Sequence, residues 1–130
     1  MRLITMIHRL MGNAANRFVI VDARDNSVTL SRQLCREIDV FHLERNNVLV
    51  FRLSTGQYAF AVNPDWGLKD TQYGEIQYNE RQKCIGFETL CPTVTRMLYD
   101  YGIDKDVCKL SVIPGRANGK EYYIICNPNE

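Results

Sequence analysis

Hydrophobic and polar positions along this chain alternate between a two-residue period and a three-to-four-residue period, and the switches mark its elements. Phe18-Val19-Ile20-Val21 reads as a strand, Arg24-Asp25-Asn26 as a turn, and Val28-Thr29-Leu30 as a returning strand. Ser31 then suits a helix N-cap, with Leu34, Ile38 and Phe41 on one face behind it. Asn46-Asn47 breaks the helical pattern. Val48 to Leu53 is a third strand, Ser54-Thr55-Gly56 its turn, and Tyr58 to Val62 a fourth. In that fourth strand Tyr58, Phe60 and Val62 share one face and alanines the other.

The same order of elements returns in the second half. Glu75 to Tyr78 is a strand, Asn79-Glu80-Arg81-Gln82 a turn, and Cys84 to Leu90 a strand. Pro92 suits the first helical position, where its missing N–H would be unpaired in any case. Val94, Met97, Leu98 and Tyr101 form an apolar helical stripe, and Gly102 is placed to stop the helix in the left-handed conformation. Val107 to Ile113 is a strand, Pro114 to Gly119 a hairpin tip, and Glu121 to Cys126 the last strand.

Aligned on their helices, the halves keep an offset of 60: Leu34 with Val94, Ile38 with Leu98, Phe41 with Tyr101, Val48 with Cys108, Leu53 with Ile113. The offset is about 56 before the first turn and becomes 64 past the last tip. There Tyr58 to Pro64 is echoed by Tyr122 to Pro128. Length differences therefore fall in turns, where insertions are tolerated. The expected fold is α+β: two tandem β-β-α-β-β repeats fused into one core, mostly antiparallel sheet or a small barrel with short helices. Residues 1–16 form an N-terminal helix or extra strand, 17–65 the first repeat, 66–74 a connector and 75–130 the second repeat. Trp66, in the connector, reads as a plug over the core.

At 130 residues the chain is one compact unit, since a half of about 60 residues would be marginal alone. No apolar stretch reaches the length of a membrane span and no secretory leader is evident, so a cytoplasmic protein is expected. Five cysteines, an odd number with no C-x-x-C pair, argue against a disulfide framework or a zinc knuckle. Cys108 and Cys126 read as small hydrophobes on strands. The net charge of +1 is unevenly spread: residues 1–52 hold eight Arg and five acidic groups, residues 53–130 eight basic and ten acidic groups. An arginine-only basic half hints at phosphate or carboxylate recognition.

Catalytic chemistry finds little material. His8 and His42 are the only imidazoles, and a Cys35–His42 pair would lack an orienting group and an oxyanion loop. Asp100, Asp104 and Asp106 read as helix-end and turn residues, and Pro114 to Gly119 is no phosphate loop because no helix follows it. Tyr58, Phe60, Tyr122 and Tyr123 read as core or sheet-face aromatics ahead of base-stacking platforms. No enzyme, cofactor or metal site is expected.

Two segments carry a family resemblance. Gly86-Phe87-Glu88-Thr89-Leu90-Cys91-Pro92 looks like a strand leading into a proline-started helix. Tyr101-Gly102-Ile103-Asp104-Lys105-Asp106-Val107-Cys108-Lys109-Leu110 is similar to a Leu-Gly-Ile, Gly-Asp, alternating-strand segment. Together they resemble the AbrB/MazE family of swapped-hairpin domains, and the tandem form looks like the MraZ arrangement. Asn26-Ser27-Val28-Thr29-Leu30-Ser31-Arg32 aligns with the same stretch in the first half, with Ser31 in place of the proline and no Gly-Asp over Glu44 to Asn47. The resemblance implies two interlocked hairpin halves and a transcriptional regulator that binds duplex DNA without catalysis. Position by position it points to Arg24, Arg32, Arg36, Arg81, Lys83 and Arg96, and Arg17 is an independent basic candidate. Open helix N-termini beside these arginines would add phosphate contacts. Asp22, Asp25, Glu37 and Glu80 are interleaved with them. The alternative is a protein-interaction module, antitoxin-like or accessory, that uses strand edges or the N-terminal segment. Either reading accommodates a homo-oligomer.

Overall fold

Val19 and Val21 are fully buried while Ile20 between them is 40% exposed, so the first strand has one inward and one outward face. The computed structural model describes residues 16–38, 47–62, 66, 74–79, 84–89 and 92–130. Among the described residues there are eight strands: β1 (Phe18–Asp22), β2 (Ser27–Leu30), β3 (Asn47–Arg52), β4 (Tyr58–Val62), β5 (Gly74–Asn79), β6 (Cys84–Glu88), β7 (Val107–Ala117) and β8 (Lys120–Ile125). Helix α1 (Arg32–Ile38) follows β2, and helix α2 (Thr93–Asp100) follows β6.

The strands close into an antiparallel barrel in the order β1-β2-β6-β5-β3-β4-β8-β7. Each hairpin neighbours only hairpins from the other half of the chain. Thus β1–β2 sits between β6 and β7, and β3–β4 between β5 and β8. Closure gives every strand two neighbours, which corrects the expectation of free strand edges for a partner. Among the described residues the clearest unpaired stretch is the outer part of the β7–β8 hairpin, where Gly115 to Ala117 and Lys120 to Tyr122 pair only with each other.

Among the described residues one apolar core fills the barrel. It joins Val19, Val28, Leu30, Val48, Tyr58 and Phe60 from one half to Phe87, Leu110, Val112 and Ile125 from the other. Leu34 and Cys35 of α1 and the complete Val94, Met97, Leu98 and Tyr101 stripe of α2 are buried in the same cluster. Each large aliphatic side chain buried this way is worth about 1.5–3 kcal/mol, so neither half retains its stability without the other's side chains.

Ser31 caps α1 as its position predicts. Its Oγ accepts from Leu34 N–H at 3.3 Å and donates to the Asn16 carbonyl at 2.7 Å. The second helix starts one residue later than expected, with Pro92 at the N-cap and no side-chain cap of its own. Asn26 fills that role from the β1–β2 turn: its Oδ1 accepts from Val94 N–H at 2.9 Å, and its Nδ2 donates to the Thr89 carbonyl at 2.8 Å. At the other end Gly102 has φ 68°, its N–H donates to Tyr99 O, and Ile103 N–H donates to Leu98 O. This is the Schellman pattern expected of Gly102.

Three expectations change. The echo between Tyr58 to Pro64 and Tyr122 to Pro128 is out of phase. Tyr58 and Phe60 belong to the core on β4, whereas on β8 the core residues are Tyr123 and Ile125. An even offset of 64 therefore matches an inward tyrosine to an outward one. The hairpin tip is also much shorter than Pro114 to Gly119. Strand β7 runs to Ala117, and only Asn118 (φ 55°) and Gly119 (φ 78°) make the turn, the Asn-Gly pair that suits the twist of a two-residue hairpin. Pro114 is tolerated inside β7 because Val112, two residues earlier, sends its N–H to Arg17 O. The missing donor of Pro114 faces that same side, past the end of β1. Finally, Trp66 packs edge-on against Phe51 at 5.5 Å, and Phe51 meets Tyr122 in the same way at 5.5 Å. Phe51 lies opposite Ala59 on β4, so this aromatic group covers the alanine face outside the barrel and does not plug its core.

Candidate nucleic-acid interface

The arginines singled out by sequence fall into separate places. Arg17, just before β1, donates from Nε to Glu37 Oε1 of α1 at 2.7 Å, and Gln33 Nε2 donates to the same oxygen at 2.9 Å. Arg24 folds back on Asp22 through two bonds, Nε to Oδ1 at 3.0 Å and Nη2 to Oδ2 at 2.8 Å. That fork holds the Asp22 carboxyl below its ordinary range and the Arg24 guanidinium above its own. Both cations are paired with carboxylates in this structure. Arg96 lies exposed on α2. Arg81 and Lys83 lie outside the described residues, as do His42, the 1–15 segment and most of the connector.

Arg32 and Arg36 are brought together. One turn apart on α1 and both exposed, they line a groove of about 410 Å³ with Asn16, Phe18, Ser31 and Gln33. Phe18 is half-buried in the outward phase of β1, opposite to buried Val19 and Val21, and the Lys109 ammonium stands 4.0 Å over its ring. Among the described residues no carboxylate pairs with Arg32, Arg36 or Lys109. Sequence reasoning missed Lys109. The available signal was its outward phase on β7, opposite Ile20 on β1 and one step from Phe18.

The helix ends are not open anion seats. Ser31 occupies the start of α1, and Asn26 occupies the start of α2. What remains is side-chain charge around an aromatic ring, a composition that suits a phosphodiester backbone with adjacent bases.

A second polar cluster sits at α2. The Tyr101 hydroxyl accepts from Tyr58 N–H at 2.6 Å and donates to the Ile125 carbonyl at 2.5 Å, bridging β4 and β8. Burial pushes its pKa up to about 12. Tyr58 donates to Asp100 Oδ2 at 2.7 Å, and burial followed by that carboxylate raises its pKa too. The cluster is fully satisfied and serves the fold. Cys35 is 4% exposed and directs its thiol at the Leu30 carbonyl, while burial raises the Cys108 and Cys126 thiols. The upward shift favours the protonated thiol at Cys108 and Cys126. Among the described residues no group of His, Cys, Asp and Glu is arranged to hold a metal, and no helix is long and apolar enough to cross a membrane.

No protein-family model, curated protein or solved structure matches this chain.

Proposed function

We propose that this protein is a non-enzymatic DNA-binding regulator made of two fused, interlocked β-β-α-β-β repeats. The observation that carries the binding reading is that Arg32 and Arg36 line one groove with Phe18, that Lys109 stands over the Phe18 ring, and that among the described residues no carboxylate pairs with any of the three. Three such cations give a modest phosphate footprint, in keeping with a net charge of +1 and with weak or dimer-dependent affinity. The repeat reading is supported by the strand order. Replacing β1, β2, β3 and β4 by β5, β6, β7 and β8, and the reverse, leaves every strand neighbour unchanged. Alternation of hairpins between the halves is also what the resemblance to swapped-hairpin AbrB/MazE domains implies.

A mobility shift with duplex DNA across a salt series tests the binding. Affinity should fall steeply as salt rises and weaken when Arg32, Arg36 or Lys109 is replaced by Ala. The absence of a shift at low salt would remove the regulator reading. It would leave the protein-interaction module, for which the projecting β7–β8 hairpin, with Ile113 45% exposed, is the supporting feature.

A further inference from the structure

The groove at α1 is concave and has an aromatic wall, and these two properties separate one form of nucleic acid from another. We infer that it is a seat for an unpaired nucleotide, so the chain prefers single-stranded to duplex DNA. This inference rests on the nucleic-acid reading of the same face. A duplex presents a convex backbone with its bases stacked out of reach, and needs only exposed cations. An unpaired strand offers a flat base as well, and that base needs a partly buried ring.

Phe18 supplies the ring. It projects outward from β1 into a groove of about 410 Å³, room for roughly one nucleotide and too little for a helix end. Arg32 and Arg36 lie one helical turn apart along the groove, a spacing of roughly 6 Å that suits successive phosphates of an extended strand. The Asn16 and Gln33 side chains add polar groups that can meet a base edge. Gln33 commits its amide N–H to Glu37, which leaves its carbonyl as an acceptor. The Lys109 ammonium also stands 4.0 Å over the Phe18 ring without lining the groove. An exposed cation–π contact of this kind is weaker than a base stack, so it does not hold the ring against an arriving base.

The test is fluorescence anisotropy at low salt on the full chain, with a labelled thymidine dodecamer and a duplex of the same length. The single strand should bind about 10-fold more tightly than the duplex, the scale of one stacked base. Phe18→Leu should abolish that ratio, and Tyr99→Leu, on the far helix, should preserve it. A bromouracil-substituted strand photocrosslinked to the unaltered chain should mark the peptide carrying Phe18, a readout that does not depend on how the variant folds. Equal or tighter duplex binding, a ratio that survives Phe18→Leu in a folded variant, or an adduct elsewhere would overturn the seat while leaving the DNA-binding reading standing. Binding of neither probe would overturn both.

Discussion

Asn26 Oδ1 lies 2.9 Å from the backbone nitrogen of Val94, across 68 positions of sequence. A residue in the first hairpin turn thereby caps the helix of the other half. The same residue holds φ 58°, and its backbone carbonyl accepts from Thr89 N–H at 2.8 Å. Replacing Asn26 by Ala removes the cap and places a side chain without local hydrogen bonds in the left-handed region. The expected loss is about 2 kcal/mol in denaturant unfolding. Asn26→Gly keeps the backbone freedom and loses only the cap, so it should cost about 1 kcal/mol. Equal losses for the two would mean that the turn conformation contributes nothing.

Tyr101→Phe tests the hydroxyl that joins β4 to β8. The ring stays in the core, but the Tyr58 N–H and the Ile125 carbonyl lose their shared partner. Leaving buried groups unsatisfied costs about 1–3 kcal/mol, a loss that urea titration would measure.

The same tyrosine sets an alkaline limit. Its folded pKa is raised from the ordinary 10.0 to about 12 because burial disfavours the phenolate. Between those values the unfolded chain releases a proton that the folded chain retains, so stability declines as pH rises. Thermal midpoints measured across that window should drop, and the drop should be shallower in Tyr101→Phe. Tyr58 and Tyr123, also shifted upward by burial, keep some slope in the variant.

Hairpin alternation around the barrel makes each half dependent on the other. A fragment ending in the 66–74 connector would carry β1 to β4, but β1–β2 and β3–β4 are not neighbours in the ring. Circular dichroism of either fragment alone should show an unfolded chain, because isolated two-stranded hairpins are at best marginal in water. Mixing the two should restore the barrel. A fragment that folds unaided would contradict the interlocked arrangement.

Much of this architecture was legible because period and phase are local. The Val94, Met97, Leu98 and Tyr101 stripe was readable from spacing alone, and all four residues are buried. Ser31 and Gly102 announced the helix ends by their own chemistry. The misreadings came where likeness was judged by residue type and not by phase. Tyr58 and Tyr122 looked equivalent, yet one lies in the core and the other packs on Phe51 outside it. The ring order of strands was not legible, because pairing β2 with β6 is a long-range choice that no window of sequence contains. The site was half visible. Arg32 and Arg36 share a helical face, but Lys109 arrives only through the β1–β7 register. The loss of Arg24 to Asp22 could have been anticipated, since an Asp at a turn entry accepts from the backbone two residues on, and Arg24 N–H donates to Asp22 Oδ1 at 2.9 Å.

That last pairing yields the sharpest mutational contrast. If DNA is held by uncompensated charge, Arg32→Ala, Arg36→Ala and Lys109→Ala should each weaken binding and lower the salt dependence by about one phosphate contact. Arg24→Ala should leave the salt dependence where it was, because the Arg24 guanidinium is already bonded twice to Asp22. Asp22→Asn should then release Arg24 and strengthen binding, an effect that Arg24→Ala in the same chain would erase. Total charge alone would make the Ala variants at positions 24, 32 and 36 indistinguishable. Their separation in a salt-dependent binding assay decides whether local pairing or net charge governs this surface.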